Sequence, residues 1–109
     1  MRALTWHILI PRIGTGQQET YRLDGDYNPV RAWLHFDVAP TGAETIVDIN
    51  VDGLSIFAYR PRAMDDKDVV EDGFSKVQLT KDSLVSLDID QVGKEPGRDL
   101  TVGLELEEA

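Results

Sequence analysis

Cysteine is absent from this 109-residue chain. Its absence removes disulfides, thiolate nucleophiles and zinc sites of the cysteine type. Histidine is scarce: His7 and His35 are too few for a histidine-rich metal site. Cations are outnumbered, with 11 Lys and Arg against 20 Asp and Glu and a formal net charge of −9. Phosphate backbones need clustered positive charge, and so do anionic lipid surfaces, so neither nucleic acid nor a membrane is an expected partner. The charge suits solubility, or complementarity to a basic protein surface. No apolar run approaches the ~20 residues needed to span a bilayer. The stretch Met1 to Ile10 alternates in character rather than forming the apolar block of a secretory signal, so production and assembly in the cytoplasm are expected. Helical periodicity is also missing. Its best candidate, Ala63–Asp72, is too short and too charged to hold a core face.

What the chain does have is alternation with period two, the signature of half-buried strands. Leu4, Trp6, Ile8 and Ile10 share one face of a first segment that ends at Pro11 and the Gly14–Gly16 stretch. Val30, Ala32, Leu34, Phe36 and Val38 share a face of the next, with Arg31, Trp33, His35 and Asp37 opposite. Val47, Ile49 and Val51 oppose Asp48 and Asn50. Val85, Leu87 and Ile89 oppose Ser86, Asp88 and Asp90. Leu100, Val102, Leu104 and Leu106 oppose Thr101 and Glu105. Shorter strands are expected around Tyr21–Leu23, Ser55–Tyr59 and Lys76–Leu79. Asp52-Gly53 is a tight-turn signal that joins Ile46–Val51 to Leu54–Tyr59 as a hairpin. Pro40-Thr41-Gly42 and Gly93–Gly97 supply further turns, and Arg60–Gly73 reads as a long charged loop. About eight short strands without helical crossovers predict one all-β domain over residues 1–109, an antiparallel β-sandwich of the jelly-roll kind. Its expected core includes Trp6, Leu34, Phe36, Val47, Ile49, Leu87, Ile89 and Val102.

Candidate chemistry is sparse. Asp48-Ile49-Asn50-Val51-Asp52-Gly53 matches the first half of a calcium-binding EF-hand loop, but the twelfth position, where a bidentate Glu belongs, is Tyr59. Both flanks read as strand. Asp37, Asp48, Asn50, Asp88 and Asp90 occupy polar strand faces. If those strands are neighbours, the carboxylates would crowd unless a cation or basic side chains relieve them. No serine has the setting of an activated nucleophile, and Gly14-Thr15-Gly16 is too short for a phosphate loop. The expectation is a protein with no catalytic residues, no metal and no cofactor. Arg31, Trp33 and His35 stand on the outer face of a long strand, and a Trp flanked by Arg is the kind of residue that anchors interfaces. Trp33 is either covered by a loop or second strand, or in contact with another protein, or stacked on a sugar ring. Phe57 and Tyr59 are further partner-binding candidates.

Two stretches carry a resemblance. The first is Val38-Ala39-Pro40-Thr41-Gly42, followed by Ile46-Val47-Asp48-Ile49-Asn50, Gly53 and Ser55-Ile56-Phe57. The second is Leu87-Asp88-Ile89-Asp90-Gln91-Val92-Gly93, followed by Asp99-Leu100-Thr101-Val102. Together, over roughly residues 29–104, they resemble a β-sandwich domain found in bacteriophage virion proteins, in tail-fibre and other appendage proteins and in capsid decoration proteins. The chain departs from that pattern in Arg60–Lys76, which is acidic where a small, Thr-rich linker is usual. The resemblance implies a non-enzymatic virion part, with the major capsid protein or other virion proteins as partners, and assembly as a homotrimer. A decoration protein on the shell is the expected role. A small tail-fibre or baseplate module that binds a host surface carbohydrate is the alternative.

Overall fold

A computed structural model describes residues 3–76 and 78–109. Among them the chain forms β1 (Ala3–Ile10), β2 (Gly16–Arg22), β3 (Tyr27–Val38), β4 (Thr45–Val51), β5 (Leu54–Ser55), β6 (Arg62–Ala63), β7 (Asp68–Glu71), β8 (Leu84–Gln91) and β9 (Arg98–Glu108). The described residues contain no helix.

The strands build two antiparallel sheets. One has the order β1-β9-β3-β7; the other has the order β2-β8-β4-β5, with β6 also pairing to β4. We call them the first and second sheet. The pairs β1·β9, β2·β8 and β3·β7, with β4 against β5 and β6, nest inside one another like a single long hairpin rolled up. Taking β5 and β6 as one interrupted strand, this is jelly-roll connectivity. The expected antiparallel β-sandwich is therefore the fold.

The core follows the alternation. Leu34, Phe36, Val47, Ile49, Leu87, Ile89 and Val102 are buried between the sheets. Trp6 points the same way but is only half-buried, because β1 is an edge strand; its ring stacks on Tyr21 of β2 with centroids 5.8 Å apart. At Asp52-Gly53 the backbone takes φ of 50° and 86°, as a two-residue hairpin turn requires, and joins β4 to β5 as expected.

Some expectations are corrected. Val30 does not join the core. A β-bulge between Pro29 and Arg31 leaves it unpaired and 45% exposed, while Tyr27, on the far side of the bulge, is fully buried. Val38, at the end of β3, is also exposed. The segment from Arg60 to Gly73 is not a plain loop: it contains β6 and β7, and β7 pairs Asp68, Val69, Val70 and Glu71 with β3. The strand around Tyr21 begins earlier, at Gly16, where a polar edge segment shows no alternation. The strand expected over Ser55–Tyr59 stops at Ser55. Of the expected Lys76–Leu79 strand, Val77 lies outside the described residues, and Leu79 makes an isolated bridge to Tyr27.

Candidate functional site

Pairing places the outer side chains of the first sheet in rows. One row across the sheet reads His7, Gly103, Trp33, Val70. The row on one side reads Leu9, Thr101, His35, Asp68, and the row on the other reads Thr5, Glu105, Arg31. Arg31, Trp33 and His35 thus share one surface, as their spacing predicts.

The seat of Trp33 is Gly103. A Cβ added to Gly103 would fall within the indole, against its Cε2, Cζ2 and Nε1 atoms, so the ring packs directly over the β9 backbone. Only glycine permits that approach. Trp33 is half-buried as a result, and β7 flanks it without covering it. Val70, 62% exposed, stands beside Trp33 on β7, and Leu9, 59% exposed, lies on β1 in the row of Thr101 and His35.

Charged pairs fill the rows on both sides of Trp33. The Arg31 Nε donates to Glu105 Oε2 at 2.6 Å. His35 Nδ1 lies 2.7 Å from Asp68 Oδ1, and its Nε2 lies 3.3 Å from Asp37 Oδ1. The hydrogen bond to Asp68 raises the His35 pKa above its ordinary value, with desolvation opposing and the charges of Asp68 and Asp37 assisting. A partly exposed Trp flanked by an Arg ion pair is the kind of group that anchors protein interfaces. Phe57 does not belong to this surface. It is 5% exposed and stacks on Phe74, with centroids 5.5 Å apart, so it is a core residue and not the expected partner contact. Tyr59 is 76% exposed, but it follows β5 at the edge of the second sheet, away from Trp33.

The outer face of the second sheet gathers the acidic strand residues. Asp48 and Asp88 are direct cross-strand partners on β4 and β8. Asp37, on the first sheet, is not among them. Each of these carboxylates has a donor. Ser55 Oγ donates to Asp48 at 2.6 Å, Asn50 Nδ2 to Asp88 at 2.6 Å, Ser86 Oγ to Asp88 at 3.2 Å, and Arg60 to Asp90 at 2.8 Å. Asp48 is only 7% exposed, and burial pushes its pKa up; Asp90 adds to the rise, while Ser55, the Ile49 backbone and Arg60 oppose it. Among the described residues no three His, Asp or Glu side chains are grouped to hold a metal ion. The Asp48–Gly53 segment is a strand and its turn, so alternate side chains diverge instead of converging on one cation.

Sequence reasoning missed Gly103, which sits mid-strand in β9, and Val70, hidden in a segment read as loop. A glycine that interrupts the polar face of a strong strand is itself a signal of close approach. No protein-family model matches the chain, nor does any curated protein.

Proposed function

We propose that this chain is a non-enzymatic structural protein of a bacteriophage particle, a decoration protein that seats the outer face of its first sheet on the assembled shell. The observation that carries the reading is the Trp33 surface: an indole fixed on Gly103, exposed Val70 beside it, and ion pairs in the rows on either side. A preorganised, partly exposed indole on a flat sheet face suits a broad protein platform. The resemblance to virion β-sandwich domains supports the particle as its setting, and jelly rolls recur in viral capsid domains. With a net charge of −9, free subunits repel one another weakly and are steered to a platform of basic character, such as the major capsid protein would present.

A host carbohydrate is the second reading, and the seated indole is what favours it, because a flat aromatic ring beside Arg31 and Glu105 also suits a sugar face. Electron microscopy of particles that carry the protein decides between them. Copies spread over the shell support the decoration role. A few copies at one vertex, with retention on a column of host surface polysaccharide, replace it with the tail module. Trp33→Ala should abolish attachment in either case; attachment that survives this change overturns the choice of surface.

A further inference from the structure

We infer that the free edge of β1 is a pairing site for a second copy of this chain, joining the first sheets of two molecules antiparallel into one continuous sheet.

A sandwich has four sheet edges, and in native proteins an open edge is usually protected by shortness, charge, proline, a bulge or a cover. Three edges of this domain carry such protection. β2 has a bulge between Gln17 and Glu19 and bears Glu19 and Arg22. β7 is four residues long, with Asp68 and Glu71 at its ends. β5 and β6 are two residues each, with Pro61 between them. β1 has none of these. It runs eight residues, in unbroken register with β9 from Ala3↔Glu107 to Ile10↔Leu100. Its sequence, Ala3-Leu4-Thr5-Trp6-His7-Ile8-Leu9-Ile10, contains no Asp, Glu, Lys, Arg or Pro. Alternate residues of such an edge strand turn their N–H and C=O groups away from the sheet. Among the described residues no other segment pairs with that side.

The side chains point the same way. Leu4, Trp6 and Ile8 face the core yet remain half-buried, while their β9 partners Leu106, Leu104 and Val102 are buried. The difference is the missing neighbour. Tyr21, stacked on Trp6, is half-buried too, so an apolar seam runs along the open side of the sandwich beneath the unpaired backbone.

A second copy fits this edge for two reasons. First, β1 is self-complementary. A two-fold axis normal to the sheet at Trp6 sets Leu4 of each copy opposite Ile8 of the other, keeps core side chains on the core side, and continues the seam. Second, two molecules of charge −9 meet with least repulsion where acid is absent, and β1 supplies such a strip. Each copy has one edge of this kind, so pairing closes at two rather than at the three that the virion resemblance implies. The same axis leaves both Trp33 surfaces facing one way, able to engage a platform together.

The pairing does not depend on the particle and is tested in its absence. Sedimentation equilibrium of the full chain over a range of concentrations should give a dimer. The double variant Thr5→Lys, His7→Lys alters two exposed side chains and puts lysines in opposition across the junction. It should weaken dimerisation at least tenfold with an unchanged far-UV circular dichroism spectrum. In the unmodified chain, exchange of β1 amides should slow as concentration rises while that of β7 amides does not. A monomer at all concentrations, a trimer, or a dimer whose β1 amides exchange independently of concentration would overturn the inference.

Discussion

Adding one methyl group at Gly103 puts a carbon where the Trp33 indole sits. The Gly103 backbone is not in the left-handed region, so alanine itself is tolerated there. Relief must come from the ring, which stands on an outer face and is free to swing into solvent. An indole of about 200 Å² that is half covered returns roughly 100 Å² to water, a cost of about 2.5 kcal/mol at ~25 cal/mol per Å². Replacing glycine with alanine offsets about 0.4–1 kcal/mol of this by restricting the unfolded chain. The net loss for Gly103→Ala is therefore about 1.5–2 kcal/mol, or a fall in Tm of roughly 6–16 °C for a domain of this size. Tryptophan emission in a Trp6→Phe background, where Trp33 is the remaining tryptophan, should shift to the red in the native state. An unchanged spectrum with an unchanged Tm would refute the seating of the ring. A loss above about 4 kcal/mol would show that Trp33 belongs to the core and is no surface group.

Other consequences can be checked separately. Ile49→Ala, in the middle of β4 with no exposed surface, should cost about 2–5 kcal/mol in denaturant unfolding. The His35 contacts to Asp68 and Asp37 raise its folded pKa, so what they contribute is fully present below the unfolded value near 6.5 and is lost as pH rises through the folded value; protection of β7 amides should fall over that interval, and His35→Gln should remove the dependence. Burial raises the Asp48 pKa, so the folded chain holds that proton more tightly and the group lowers stability as pH rises past the unfolded value near 3.8. Asp48→Asn, which keeps an acceptor for Ser55, should raise Tm at neutral pH, and a fall of several degrees would contradict the reasoning. Because Asp48, Asp88 and Asp90 each have a donor, a chelator should leave Tm unchanged, and a drop of several degrees would mean that a cation holds that face together.

The long strands were legible because burial on one face imposes a period of two, and Leu34, Phe36, Ile49, Leu87 and Val102 keep that phase. The Asp52-Gly53 hairpin was legible because its turn demands positive φ at both residues. Tyr27 was missed for the converse reason: the bulge at Pro29 and Arg31 resets the phase, so a fully buried aromatic stands out of step with Ala32 and Leu34. β2, β6 and β7 were faint because β2 is polar without alternation and β6 and β7 span only two and four residues. Of the candidate surface, Arg31, Trp33 and His35 were readable from alternation alone. Val70, Leu9 and Gly103 join them through pairing between strands distant in sequence, which alternation within a strand does not encode.

The rolled-up hairpin has a kinetic consequence. β9 lies between β1 and β3 in the first sheet, so the first strand of the nest has no partner until the last one is made. On a ribosome, β4 and β5 can close early through their tight turn, and each outer pair must wait for its mate to emerge. β1, the most apolar and least protected edge, therefore stays unpaired longest. The nascent chain is most prone to misassociation just before synthesis of β9, and folding should be slowed more by substitutions that delay docking of Leu100, Val102 and Leu104 than by equally destabilising ones elsewhere on the rim.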